Sequence, residues 1–197
     1  MHGFDWIAAT GFFGMLAAWV AYFVVFQFRK KLPEAQETKR NKASYWGIGL
    51  EAAGYWIIWF FPRPYFSPIV PMPKTGEIVM MVLTIAIGAA SVWLCGAARR
   101  ALGKQWTYRA RVVEGHELIT QGPYSLVRNP IYLGMFGMLI STGLAVGRWP
   151  VLLAAIVIFL IGIEVRIRTE EKLLREAFGE KFDEYSRRVS ALIPPVF

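Results

Sequence analysis

The sequence predicts an all-α integral membrane protein with five transmembrane helices, a cytoplasmic loop and a C-terminal helical extension. Of its 197 residues, 55% are hydrophobic and only 18% are charged, whereas globular domains contain about 45–50% apolar and about 25% charged residues. The mean hydropathy is +0.39, and this composition excludes an intrinsically disordered chain. Long runs without charges then place the helices.

Five apolar segments are long enough to be membrane helices, because crossing the hydrocarbon core takes about 17–25 residues. The second segment contains one charge, Glu51, and the last two are joined by a short turn. In that turn, Pro150 suits the first position of a helix, where its missing N–H is not needed. The five predicted segments are residues 6–28, 45–61, 78–98, 131–147 and 149–163.

The basic residues predict the orientation of these helices. Nineteen of the 22 lysines and arginines fall on one side of the predicted membrane and three on the other. By the positive-inside rule, the N-terminus lies outside and the C-terminus lies in the cytoplasm. A basic face beside anionic lipid also accounts for the net charge of +8 without nucleic acid as a partner.

The chain contains few residues that could bind a metal ion or form a disulfide. The single cysteine, Cys95, is expected to be a small core residue, and there are only two histidines. We therefore predict no internal disulfide and no metal site.

The connections on the two sides differ in character. The external 62–77 connection contains five prolines, so we expect it to be stiff and extended rather than helical. The cytoplasmic 99–130 segment is longer and more polar, which favours the cytoplasmic side as the place of any chemistry.

The segment 112–134 contains several turn signals. Glu114-Gly115 and Gly122-Pro123 predict two turns. Asn129 precedes Pro130, so it is expected to leave the α region and to cap the helix that Pro130 begins. The free N–H groups of such a helix start would suit a carboxylate. The alternative is a tight loop that only re-enters the membrane.

The segment 164–179 continues the fifth helix out of the membrane. Arg166 and Glu170 are spaced i,i+4, as are Glu164 and Arg168, so each pair shares a helix face. These charges either form a solvated face with weak ion pairs or, at a membrane boundary, belong to a functional site. Glu51 has the same two interpretations, interfacial or functional.

Small residues recur along the fourth segment. They either allow close packing of helices or line a channel for a substrate. The residues are Gly134, Gly137, Ser141, Gly143 and Gly147.

Three motifs resemble the isoprenylcysteine carboxyl methyltransferase family, whose wider group includes the phospholipid N-methyltransferases. They are the run Gly122-Pro-Tyr-Ser-Leu-Val-Arg-Asn-Pro-Ile-Tyr132, the Arg166…Glu170-Glu171 pattern and the closing Phe178-Gly179…Tyr185…Ile193-Pro194. The resemblance covers roughly residues 100–197, and the five-helix arrangement is similar to that of small prokaryotic members. It implies one domain, 1–197, with a cofactor-binding and catalytic core at 100–197, in a prokaryotic cytoplasmic membrane.

The resemblance also implies a cofactor and a set of site residues. The family uses S-adenosylmethionine without a Rossmann domain, and no strand–GxGxxG–helix unit occurs here. Arg166 matches the family arginine near the methyl acceptor. Asn129 replaces the usual histidine, so it retains hydrogen bonding but cannot become cationic. The implied cofactor-binding residues are His116, Glu117, Leu118, Ile119, Tyr124, Asn129, Pro130, Ile131, Tyr132 and Glu170.

The acceptor expected from this resemblance is a lipidic or amphipathic molecule that enters between the helices from the surrounding lipids. A carboxylate is already ionised at neutral pH, needs no base, and could be oriented by Arg166 through bidentate hydrogen bonds. Carboxyl O-methylation of an isoprenylcysteine-like lipid is therefore favoured. N-methylation of a phospholipid amine and S-methylation of a small thiol are alternatives, and a non-catalytic membrane scaffold is the alternative from another class.

Overall fold

The computed structural model describes residues 5–27, 43–103 and 118–193. In these ranges the chain forms α-helices, one short 3-10 helix at Gly122–Ser125 and only isolated β-bridges. Helices therefore form at all five predicted segments, and a sixth follows them. They are α1 (Trp6–Gln27), α2 (Ala43–Phe60), α3 (Lys74–Leu102), α4 (Pro130–Val146), α5 (Trp149–Phe178) and α6 (Glu180–Arg188).

Three of the helices are long and apolar enough to cross a membrane. These are α1, α3 and α5, while α4 is apolar but has only 17 residues. The helix α2 has 18 residues and includes Glu51. The structure thus supports a helical membrane protein. By length and composition, three of the five predicted membrane helices qualify as crossing helices.

The helix α3 extends beyond its predicted apolar segment, whereas α5 continues to Phe178 as the sequence predicts. The helix α3 includes Lys74 and Glu77 at its start and Arg99 and Arg100 in its last turn, because a helix continues into water where hydropathy no longer marks it. The connection between α2 and α3 consequently ends at Pro73 rather than at residue 77. The helix α5 begins at Trp149, so Pro150 is its second residue rather than its first.

The connection between α2 and α3, residues 61–73, is non-helical as predicted, but it folds back on α4 rather than running extended. The Arg63 guanidinium donates hydrogen bonds to the carbonyls of Leu144 and Ala145, both at 2.8 Å, and to those of Gly147 at 2.6 Å and Ser67 at 2.7 Å. Burial lowers the pKa of Arg63 to about 10, so the group stays protonated at neutral pH. Arg63 thereby satisfies C-terminal carbonyls of α4 that lack a partner within the helix.

Close contacts between helices occur where small residues meet. A Cβ placed on Gly134 would lie 3.0 Å from the carbonyl of Ser91, and Ser141 donates a hydrogen bond to the Thr84 carbonyl at 2.8 Å. These contacts join α4 to α3 and favour the packing interpretation of the small residues over a channel. Cys95 is fully buried at the same interface, as predicted for a core residue.

The helices α2 and α5 approach each other through glycines. A Cβ on Gly47 would lie 2.8 Å from the Gly162 carbonyl, and a Cβ on Gly162 would lie 2.9 Å from the backbone nitrogen of Glu51. Since backbone atoms cannot move aside as a flexible side chain does, the two backbones pack this closely only without side chains at both positions.

We expect Gly47→Ala to lower the stability of the protein by about 1–3 kcal/mol, because the added methyl group overpacks the contact with α5. Gly49→Ala is the matched control in the same helix, since a Cβ there meets no atom within 4 Å. Thermal unfolding of the two variants in detergent, followed by tryptophan fluorescence, measures the difference. Equal unfolding temperatures for the two variants would contradict the close approach of α2 and α5.

Candidate functional site

Arg166 lies at the centre of a buried group of charged and aromatic side chains. Its Nη1 donates a hydrogen bond to Oε2 of Glu51 at 3.0 Å, and its Nη2 is 3.6 Å from Oε1 of Glu170. The guanidinium lies over the Tyr132 ring, 4.7 Å from the ring centroid. We call these four residues, from α2, α4 and α5, the Arg166 cluster.

Local geometry and helix packing together produce the cluster. Arg166 and Glu170 are one turn apart on α5, which confirms the predicted pairing, and the predicted Glu164–Arg168 pair also forms, at 2.6 Å. Tyr132, in the first turn of α4, donates its hydroxyl hydrogen bond to Oε1 of Glu170. Glu51 reaches Arg166 because the glycine contact brings α2 against α5.

Among the described residues, two carboxyl groups of the cluster, those of Glu51 and Glu170, lie beside one guanidinium. Glu51 is 3% exposed and Arg166 is 9% exposed. Oε1 of Glu51 is buried and accepts no hydrogen bond from any residue that the structure describes. The Glu170 side chain is 25% exposed and is the most accessible of the charged members. A bound molecule with hydrogen-bond donors could therefore reach the Glu170 carboxylate.

A second arginine, Arg128, anchors the segment that leads into α4. Its guanidinium forms an ion pair with Glu171 of α5 at 2.7 Å and donates hydrogen bonds to the carbonyls of Ser186, at 2.9 Å, and Val189. The backbone N–H of Arg128 donates to the Ser190 carbonyl at 2.8 Å. The residues before α4 are thus fixed to both α5 and the end of α6.

Asn129 occupies the predicted position before α4, but its side chain does not cap the helix. Its φ of −126° lies outside the α region, as expected before Pro130. The side-chain Nδ2 instead donates a hydrogen bond to the Ala191 carbonyl at 3.0 Å, and no side-chain cap bond forms. The capping prediction was wrong because the C-terminal segment supplies an acceptor for the amide.

Tyr124 is buried in the 3-10 helix, where Gly122 has the positive φ of the predicted turn. The hydroxyl of Tyr185 in α6 donates a hydrogen bond to the Tyr124 carbonyl at 2.6 Å. Burial raises the pKa of Tyr124 and raises that of Tyr185 to about 12. Both hydroxyls therefore remain protonated at neutral pH.

The two segments singled out in the sequence meet in the structure. Tyr132 contacts Arg166 and Glu170 directly, and Arg128 contacts the adjacent Glu171. The remaining predicted cofactor residues of the described chain, which are Leu118, Ile119, Tyr124, Asn129, Pro130 and Ile131, belong to the segment that continues into Tyr132. His116 and Glu117, together with the predicted Glu114-Gly115 turn, lie outside the described residues.

Sequence reasoning left Glu51 open between an interfacial and a functional residue, and it assigned no site role to Arg128 or Glu171. Glu51 carried a signal, because it is the one charge in an otherwise apolar segment, but its partner could not be read from the sequence. Arg128 and Glu171 lie within the quoted motifs.

The structure contains an open cleft at the other end of α4. The cleft has about 370 Å³ of empty space, and Arg63, Met72, Met81 and Leu144 are among its lining residues. It is separate from the Arg166 cluster, which contacts the first turn of α4. In the described ranges, no three His, Cys, Asp or Glu residues come together in a way that could hold a metal ion.

Comparison with known proteins finds a family model that matches part of the chain. A family model described as phospholipid methyltransferase matches residues 79–181, just over half of the chain. Tyr132, Arg166 and Glu170 lie inside this region and Glu51 lies outside it.

Individual relatives carry two kinds of name. The chain is 34% identical to the nickel-cobalt-cadmium resistance protein NccN of Alcaligenes xylosoxydans xylosoxydans over 115 residues, which cover 56% of this chain and 52% of that protein. It is 33% identical to the protein-S-isoprenylcysteine O-methyltransferase of Schizosaccharomyces pombe over 79 residues, or 40% of this chain and 34% of that protein. The corresponding protein B of Arabidopsis thaliana is 30% identical over 94 residues, or 47% and 48%. The chain thus spans about half or less of the length of these relatives.

We expect Arg128→Ala to release the segment before α4 from α6, because one guanidinium supplies both the ion pair and the carbonyl contacts. Limited proteolysis should then cut the region around residues 186–193 at least about tenfold faster, as the loss of about 1.4 kcal/mol or more of local stability implies. Arg168→Ala is the control, since that side chain is 80% exposed in its own ion pair. Equal cleavage rates for the two variants would show that Arg128 does not anchor the segment.

Proposed function

The chain belongs to the phospholipid methyltransferase family, and on that basis we propose that it is an integral membrane methyltransferase that uses S-adenosylmethionine. The Arg166 cluster is the proposed reaction site. The observation that carries this proposal is the contact of Tyr132 with Arg166 and Glu170, because it joins the proposed cofactor segment to the proposed acceptor arginine. The names of the isoprenylcysteine methyltransferase relatives support the same reaction class.

The residues present fit S-adenosylmethionine in charge and in hydrogen bonding. Glu170 would hold the cofactor, since its partly exposed carboxylate suits the hydroxyl and ammonium donors of such a molecule. The segment from Leu118 to Tyr132, with His116 and Glu117 before it, would supply the other contacts. When bound, the cofactor supplies an activated methyl group on a good neutral leaving group.

The chain itself then has to orient the acceptor and to exclude water. Arg166 is proposed to hold an acceptor carboxylate through its guanidinium N–H groups. A carboxylate of this kind is already ionised at neutral pH and needs no base. We therefore propose carboxyl O-methylation of an isoprenylcysteine-like or other lipidic acceptor.

The proposed arrangement in the membrane has five crossing helices, with the N-terminus outside and the Arg166 cluster near the cytoplasmic surface. The two shorter helices, α2 and α4, have 18 and 17 residues, or about 26–27 Å at 1.5 Å per residue. This length nearly matches the hydrocarbon thickness of about 30 Å. A lipidic acceptor would enter between helices, and the polar cofactor would enter from the cytoplasm.

We expect Glu170→Ala to weaken the binding of S-adenosylmethionine at least tenfold, or by about 1.4 kcal/mol. Equilibrium binding of labelled cofactor to detergent-purified protein measures this change. Glu164→Gln, in the same helix but in an exposed ion pair, is the control and should bind as the wild type does. A wild-type protein that does not bind the cofactor saturably would favour a non-catalytic scaffold.

We expect Arg166→Lys to bind the cofactor normally and to lose about 100-fold or more in turnover. Lysine keeps the charge beside Glu51 and Glu170 but lacks the planar, bidentate donor geometry. Transfer of labelled methyl groups to a farnesyl thioether of N-acetylcysteine measures the rate. Turnover of the variant at the wild-type rate would remove Arg166 from the proposed role.

The same labelled cofactor distinguishes the acceptor classes when it is incubated with membranes that contain the protein. Label that becomes volatile on treatment with base indicates a methyl ester and supports carboxyl methylation. Label that is retained in phospholipid would indicate amine methylation, and label retained on a small thiol would indicate S-methylation.

A further inference from the structure

Glu51 joins the Arg166 cluster from a part of the chain that the family model does not match. Tyr132, Arg166 and Glu170 fall within the matched residues 79–181, whereas α2, which carries Glu51, lies before them. The family region thus supplies the arginine and one of its carboxylates, and α2 adds the second. The carboxylate that α2 adds, that of Glu51, therefore lies outside the residues that the family model matches.

Stability alone does not explain a carboxylate at this position. Glu51 is 3% exposed in a helix that has no other charged residue, and its Oε1 accepts no hydrogen bond from the described residues. Burying charged groups is costly, and replacing a buried ion pair with apolar residues is often neutral or stabilising. Ionisable residues within apolar bundles therefore more often serve function than folding.

The position of Glu51 relative to Glu170 indicates what the carboxylate does. Glu51 binds Nη1 of Arg166 at 3.0 Å from one side, while Glu170 lies 3.6 Å from Nη2 on the other. Without Glu51, the guanidinium would lose its ion pair on that side, and the attraction of Glu170 would draw it away from its place over the Tyr132 ring. That movement would also bring the guanidinium closer to the Glu170 carboxylate, which would then be less available to the cofactor.

We propose that Glu51 is a positioning residue, which holds the Arg166 guanidinium over the Tyr132 ring for the methyl acceptor and keeps Glu170 available to the cofactor. This inference rests on the proposed function of the Arg166 cluster. Glu51 touches neither acceptor nor cofactor and acts only through Arg166, so its effect on turnover should depend on the presence of that arginine.

The test compares Glu51→Gln with Glu164→Gln, the same change in an exposed i,i+4 ion pair of α5. With the N-acetylcysteine farnesyl thioether as acceptor, we expect Glu51→Gln to lower kcat about 100-fold, the loss that a displacement of about 1 Å can cause. The thermal unfolding temperature should stay within a few degrees of the wild-type value, and Glu164→Gln should match the wild type in kcat. A kcat of Glu51→Gln equal to that of Glu164→Gln would overturn the proposal.

A double-mutant cycle separates a positioning role from a general structural one. In the Arg166→Lys background, Glu51→Gln should produce little further loss of kcat, because residues that act as a unit are not additive. A loss as large as in the wild-type background would show that Glu51 acts independently of Arg166, and it would also overturn the proposal.

A structural measurement keeps this inference distinct from the proposed function. If the wild type methylates no carboxyl, amine or thiol probe, the proposed function fails, and experimental structures of the wild type and Glu51→Gln then decide the role of Glu51. Displacement of the guanidinium from the Tyr132 ring in the variant supports positioning. A guanidinium that stays 4.7 Å from the ring centroid refutes it.

Discussion

The burial of one guanidinium is the constraint on which the arrangement of this site depends. Arg166 lies in a largely apolar helical bundle, where an unpaired charge would be very costly. Its partners therefore come from three helices, namely Glu51 from α2, the Tyr132 ring from α4 and Glu170 from α5 itself. These contacts require α2 and α5 to be close, which the glycine at position 47 and its counterpart in α5 allow.

Arginine contacts also fix both ends of α4, the helix that presents Tyr132. At one end Arg63 donates hydrogen bonds to the last carbonyls of the helix, and at the other Arg128 joins the preceding segment to α5 and α6. Each guanidinium offers five N–H donors in a rigid plane, so one side chain satisfies several acceptors at once. The aromatic ring that faces Arg166 is thereby held on a supported helix, as the proposed alignment of methyl donor and acceptor would require.

The accuracy of the sequence predictions followed the distance along the chain between the interacting residues. The pairs Arg166–Glu170 and Glu164–Arg168 were predicted correctly because helix geometry alone places residues four apart on one face. The predicted cap by Asn129 was wrong, since its amide found the Ala191 carbonyl, 62 positions away. The extent of α3 was also underestimated, because hydropathy marks the apolar part of a helix rather than its ends.

The sequence by itself determined that this is a helical protein of membrane type, where its helices lie, and which three motifs resemble a methyltransferase family. The length of apolar runs, the turn residues and the i,i+4 spacing are local properties, so they can be read directly from the sequence. Only the tertiary structure decided that Glu51 pairs with Arg166, 115 positions away, and that Glu171 pairs with Arg128. The physical reason is that these pairs depend on which helices pack together, and that choice results from glycine contacts and buried charges of the whole bundle.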